Sequence, residues 1–198
     1  MQEIREPKQK RSIEKKNKII IAGYELFCEK GYYNTNTAEI AKRAGVSTGI
    51  VYNYFADKKD IFNSALDYMK ENIQTSMLDS LQTFQSDIDL RTAVENIIDI
   101  TLDIHLSALK IHEEITAMAH LDEDVNNFFK EFEENLIGKL AEILILHGLH
   151  IEHPHEKLHI AYNMVENFCH ETLYHNHACV DEQVMKEIII DTIVHMIL

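Results

Sequence analysis

Asn36-Thr37-Ala38-Glu39-Ile40-Ala41-Lys42-Arg43-Ala44-Gly45-Val46-Ser47-Thr48-Gly49-Ile50-Val51-Tyr52-Asn53-Tyr54-Phe55-Ala56-Asp57-Lys58 is the stretch whose reading sets the fold. Two short segments with helical apolar spacing flank Gly45, and the second opens with Ser47-Thr48-Gly49. That layout predicts a helix-turn-helix, whose second helix is shaped for the DNA major groove. Each helix start carries its own cap. Asn36 has Glu39 three residues on, which is capping-box spacing, Ser47 opens the second helix, and Asp57 has Asp60 at its third position.

Working outward, Ile19, Ile20, Ala22, Gly23, Leu26 and Phe27 recur on one face of a preceding helix. Ser12 is its expected N-cap and Gly31 its left-handed stop. Residues 1–11, with Lys8, Lys10 and Arg11, show no periodicity and read as a basic flexible arm. Beyond residue 57 the expected helices cover 57–80, 89–118, 122–147, 154–176 and 181–198, with breaks at Ser86-Asp87, 119–122, Gly148 and 178–181. Pro154 suits a first helical turn. The fold expected is all-α with about nine helices. Residues 1–56 form a helix-turn-helix domain, and residues 57–198 form a second helical domain.

Composition agrees. The 198 residues are 45 % apolar and hold only 2 Pro and 6 Gly, too few breakers for a β-rich chain. The net charge of −14 is uneven: residues 1–60 carry 12 Lys/Arg against 8 Asp/Glu, and residues 61–198 carry 7 against 25. A basic amino end on an acidic body orients a molecule toward phosphate; solubility alone is the plainer account of the acidic part. Three cysteines make no disulfide framework, and neither a signal-like stretch nor an apolar run of membrane-spanning length occurs. A soluble, cytoplasmic protein without membrane contact is expected.

The first 62 residues resemble the TetR family (tetracycline-repressor-like bacterial transcription regulators). The resemblance is carried by Leu26-Phe27-x-x-x-Gly31-Tyr32, Thr35-Asn36, Ile40-Ala41, Ala44-Gly45-Val46-Ser47, Gly49, Val51-Tyr52-x-Tyr54-Phe55 and Lys58-x-x-Ile61-Phe62. It covers about a third of the chain. One departure is Thr48, where many members carry Lys, so base preference does not transfer. The resemblance implies phosphate contacts from Thr35, Tyr54 and Lys58. It implies a groove-facing surface of Ser47, Thr48, Gly49, Tyr52 and Asn53. Each has a plainer alternative: Ser47 as a cap alone, Tyr54 as core with its hydroxyl out, Arg43 as solvated surface. The implied function is a DNA-binding regulator, a repressor released from a palindromic operator by a small-molecule effector.

Tight binding by so small a module needs two half-sites, hence a homodimer. The last two helices are the candidates, through Tyr162, Val165, Phe168, Leu173, Ile189, Ile193 and Ile197, with Val184 and Ile188 on the same faces. Burial within the chain's own body is the alternative for them. An effector pocket is expected among the middle helices, from Ile104, His105, Ala108, Ile111, His112, Ile115, Met118, Phe128 and Phe132, on apolar stripes that also hold Ile97, Leu136 and Leu140.

All 12 histidines lie in the body. His155 and His159 stand four apart, a spacing that can present two imidazoles to one metal, and an unbroken fifth helix would align His105, His112 and His120. A metal- or haem-responsive regulator is therefore the second reading, although no carboxylate or Cys completes a ligand signature here. A helical ligand-binding protein without DNA function is the third. An enzyme is not expected: there is no phosphate loop, nucleophile motif or zinc-hydrolase signature, and adjacent Cys169-His170 point about 100° apart on a helix.

Overall fold

The computed structural model describes residues 10–82, 89–175 and 177–198. Among the described residues there are nine α-helices and no strand: α1 (Lys10–Lys30), α2 (Thr37–Arg43), α3 (Thr48–Val51), α4 (Lys58–Gln82), α5 (Leu90–Ser107), α6 (Leu109–Ala119), α7 (Glu123–Leu146), α8 (Pro154–His170) and α9 (Glu182–Ile197). A π-helical turn, Glu171–His175, follows α8 directly. No described helix is long and apolar enough to cross a membrane.

Three expectations about helix ends are corrected. The Ser12 cap is displaced, because α1 already runs from Lys10, and the Ser12 hydroxyl is 2.8 Å from that of Tyr54 instead. Lys10 and Arg11 thus belong to a helix; the rest of the proposed arm, Lys8 included, and the Ser86-Asp87 break lie outside the described residues. The expected helix 89–118 is two helices. Ala108 (φ −126°, ψ 20°) leaves the helical region between α5 and α6 without any Gly or Pro to announce it.

The chain divides into two units. The first contains residues 1–72 and 108–127, α6 among them. Its core is built from Ile19, Leu26 and Phe27 of α1, Ile40 of α2, Val51 and Phe55, Ile61 and Phe62 of α4, and Ile111 and Ile115 of α6. The Phe27 and Phe62 rings meet edge-on at 5.4 Å, a favoured aromatic geometry. Burying each such ring contributes about 1.5–3 kcal/mol.

The second unit contains residues 73–107 and 128–198. Its core joins Val94 and Ile98 of α5, Ile137 and Leu144 of α7, Leu158, Val165 and Phe168 of α8, and Ile190, Ile193 and Ile197 of α9. Arg91 ties α5 to α9 through Glu187 and Asp191, and Lys186 reaches Asp99 in the same way. Packing, not these exposed pairs, carries the stability.

Candidate functional site

The helix-turn-helix is defined by its turn. Gly45 sits at φ 69°, Gly45 N–H donates to the Lys42 carbonyl at 3.2 Å, and Val46 N–H donates to the Ala41 carbonyl at 3.0 Å. This pair of bonds is a Schellman motif, which needs the left-handed residue that glycine supplies. The caps form as the sequence specifies. Asn36 accepts from Glu39 N–H at 3.0 Å, Ser47 from Ile50 N–H at 3.4 Å, and Asp57 from Asp60 N–H at 2.9 Å, while Asp60 in turn accepts from Ala56 N–H.

The groove-facing candidates stay accessible. Ser47, Thr48, Gly49, Tyr52 and Asn53 are all exposed, although Val51 beside them is fully buried. Tyr52 is 44 % exposed, a large aromatic held outward by a four-residue helix whose inner side is anchored in the core. A Cβ built at Gly49 would meet only the Ser47 hydroxyl, at 4.0 Å, an ordinary van der Waals distance.

The three residues assigned to phosphate are placed differently. Thr35 is 2 % exposed, and its hydroxyl donates to the carbonyls of Gly31 at 2.8 Å and Leu26 at 3.3 Å. It latches the α1 C-terminus. Tyr54 is half-buried with its hydroxyl against Ser12. Lys58 donates to the carbonyls of Tyr32 at 2.7 Å and Thr35 at 2.9 Å, with its ammonium 4.1 Å from the Tyr32 ring centroid. Partial burial pulls the Lys58 pKa below the usual lysine value, against the opposing charge of Glu114. Thr35 and Lys58 fasten the loop between α1 and α2, and Tyr54 meets the first turns of α1. Arg43 is likewise engaged, paired with Glu29 and Glu25 on α1.

Tyr33 is the residue the sequence reading passed over. It is 68 % exposed in the loop before α2, the only signal being a second Tyr after the family-like Gly31-Tyr32.

The second unit holds an apolar cavity of about 80 Å³. Met77, Val94, Ile97, Leu140, Val165 and Ile193 form much of its wall, and Thr101, Tyr162 and Glu166 supply the polar groups. Ile97, Leu136 and Leu140 of the expected stripes line it, and the nine pocket candidates do not. Ile111, Ile115, Met118 and Ala108 are buried in the first unit, Phe132 packs on Met77 and Leu136, and Ile104, His112 and Phe128 are only partly buried elsewhere. His105 is buried in α5. Burial opposes its charged form, yet the nearby Glu166 carboxylate outweighs that and raises its pKa. Tyr162, half-buried at the cavity, is pushed well above the ordinary phenol value by burial.

The dimer candidates are mostly inside. Val165, Phe168, Ile189, Ile193 and Ile197 are buried in the second unit's own core, and Tyr162 and Leu173 are partly covered. The outward apolar residues of α8 and α9 are Ile160 (50 % exposed), Val184 (53 %) and Ile188 (59 %). Of the two metal candidates, His155 and His159 are both exposed, and His159 contacts Glu133 of α7.

Comparison with known proteins bears on this geometry. Residues 19–65 match the family described as bacterial regulatory proteins, tetR family. The HTH-type transcriptional regulator HbdR of Aromatoleum sp. (strain CIB) is 52 % identical over 48 residues, which are 24 % of this chain and 21 % of that protein. The chain thus spans only about a fifth of that relative. The fatty acid metabolism regulator protein of Bacillus subtilis (strain 168) is 28 % identical over 144 residues, 68 % of this chain and 70 % of the relative. The crystal structure of a TetR-family transcriptional regulator from Mesorhizobium loti superposes with TM-score 0.77 at 19 % identity, covering 95 % of this chain and 97 % of that one.

Proposed function

We infer, from the match of residues 19–65 to the tetR family of bacterial regulatory proteins, that this chain binds a palindromic DNA operator as a homodimer and represses transcription until a small apolar effector releases it. The observation that carries the reading is the exposed run Ser47, Thr48, Gly49, Tyr52 and Asn53, held on a glycine-turned helix whose opposite side is locked in the core. A short helix so anchored offers hydroxyl, amide and phenol groups to base edges, and Tyr52 an apolar edge to a thymine methyl. Phosphate contact falls to other groups than Thr35, Tyr54 and Lys58, whose polar atoms bond within the protein; exposed Tyr33 and Lys42 are the replacements.

The effector is assigned to the cavity of the second unit. Its nearly all-carbon wall suits a hydrocarbon chain with one polar end near Thr101, Tyr162 and Glu166. The name of the Bacillus subtilis relative supports an acyl chain as that hydrocarbon. An effector acts only through tighter binding to the conformation that does not hold DNA. Helix α4 begins with Lys58 and contributes Met77 to the cavity wall, so it is the element through which occupancy would reach the DNA-binding unit.

A mobility-shift assay on palindromes upstream of the gene tests this. A dimer-sized shift that weakens steeply with salt and is reversed by a long-chain acyl compound is expected. A flat salt response, or no shift on any such palindrome, would overturn it.

A further inference from the structure

The sequence reading found no carboxylate to complete a histidine site, and the structure supplies one. Glu166 and His170 stand four residues apart on α8, so both project from one face of that helix. His105 on α5 comes up against them, its ring centroid 5.7 Å from that of His170 and its Nε2 3.3 Å from a Glu166 carboxylate oxygen. One ligand atom from each of the three lies within 4.8 Å of the others. All three belong to the second unit.

The protonation of His105 is fixed by its other nitrogen. Nδ1 lies 2.8 Å from the Thr101 carbonyl, which can only accept, so Nδ1 carries a hydrogen. Nε2 is then the ligating atom, and the backbone bond orients it, as second-shell bonds do at histidine metal sites. A neutral Nε2 and a carboxylate oxygen at 3.3 Å are two acceptors facing each other. The contact is favourable only with a positive centre between or beside them, either a proton or a metal ion. The distance suits the ion: two ligands about 2.1 Å from a tetrahedral zinc lie roughly 3.4 Å apart. His170 is also the last residue before the π-helical turn Glu171–His175, a widening of the helix that recurs at functional sites.

We propose that His105, Glu166 and His170 form a site for a divalent transition-metal ion of the zinc type. Two imidazoles and a carboxylate match that ion's preference. Glu166 also belongs to the cavity wall, so an ion held there would give an otherwise hydrocarbon chamber one strongly polar point. The proposal stands apart from the DNA-binding reading.

The test strips the full-length protein with a chelator and titrates it with Co²⁺, following its visible d–d absorption and, separately, metal content by mass spectrometry. One Co²⁺ per chain with the intense band of a low-coordinate nitrogen–oxygen site is expected. His170→Ala and Glu166→Gln should each weaken binding by more than about tenfold while retaining the wild-type helical circular dichroism. His155→Ala and His159→Ala should leave it unchanged. Absence of the band, its survival in both His170→Ala and Glu166→Gln, or its loss only in the His155 or His159 variants would overturn the proposal and leave a proton as the bridge. DNA binding is not read in this experiment, so its failure leaves the regulator reading intact.

Discussion

The Glu114 carboxylate on α6 accepts the backbone N–H of Tyr32, just past the end of α1. It fills the space beside Gly31, where an added Cβ would fall 2.2 Å from its Oε1. Gly31 sits at φ 85° and gives way to nothing larger. Glu114→Ala should therefore cost about 1–3 kcal/mol by leaving the Tyr32 N–H without its charged acceptor. Gly31→Ala should cost at least as much, through the strained φ and the displaced carboxylate. Thermal melts of both variants check this; a wild-type midpoint for either would show the loop is held by other contacts.

Lys58→Met keeps the aliphatic stem and removes the ammonium that bridges the carbonyls of Tyr32 and Thr35. Stability should fall by about 1–2 kcal/mol. The slope of log affinity for DNA against log salt should stay at its wild-type value, because this cation's hydrogen bonds go to protein carbonyls. A slope reduced by about one unit would instead restore Lys58 to the phosphate contacts.

Thr48→Ala and Tyr52→Ala touch residues exposed to solvent. Neither should move the melting midpoint appreciably. Each should change discrimination among operator variants by about 1–3 kcal/mol, read by competition binding against single-base substitutions. A uniform loss across all sequences would make them backbone contacts.

Lys59 holds Asp122 below its ordinary pKa of 3.8, chiefly by a hydrogen bond, as Arg43 does Glu29 and Lys30 does Glu39 from 4.5. A carboxylate depressed in the folded state stabilises it above the unfolded pKa, and that contribution is lost as pH falls through the folded one. Stability should therefore be flat near neutrality on this account and decline below about pH 4.5, less sharply at high salt since the pairs are exposed. Asp122→Asn should shallow the acid limb in melts across pH; an unchanged limb would assign acid sensitivity elsewhere.

Ile188 and Ile193 lie on opposite sides of α9, 59 % and 2 % exposed. Ile188→Glu should yield a folded chain that sediments as a monomer. Ile193→Ala should keep the wild-type oligomeric state and lose about 2–5 kcal/mol. Sedimentation paired with melts distinguishes them, and a dimeric Ile188→Glu protein would move the interface off this face.

The parts of the fold that local chemistry dictates were legible. Gly45, Asn36, Ser47 and Asp57 each satisfy backbone groups within a few residues, so turn and caps follow from neighbours alone. The break at Ala108 was not, since no residue there disfavours a helix in isolation. Apolar periodicity marks the face a helix buries first, and the face that holds Val165, Ile189, Ile193 and Ile197 packs in the chain's own core. The dimer candidates are what remains outside. The cavity and the His105–Glu166 contact join residues 61 positions apart, and no spacing rule brings two such helices into register. Lys58 reads as a phosphate ligand in a linear motif; only the folded loop presents it with two nearer oxygens.

A hollow of about 80 Å³ is smaller than the ~150 Å³ void that accommodates a benzene ring. A guest with a longer carbon skeleton must prise apart the walls that Val94, Val165 and Ile193 now press together. Vacant and occupied forms must then differ in the spacing of their helices. On the proposed effector reading such a chamber measures length by how far it is forced to dilate, and short homologues that slip in without stretching it should bind yet leave DNA affinity unchanged.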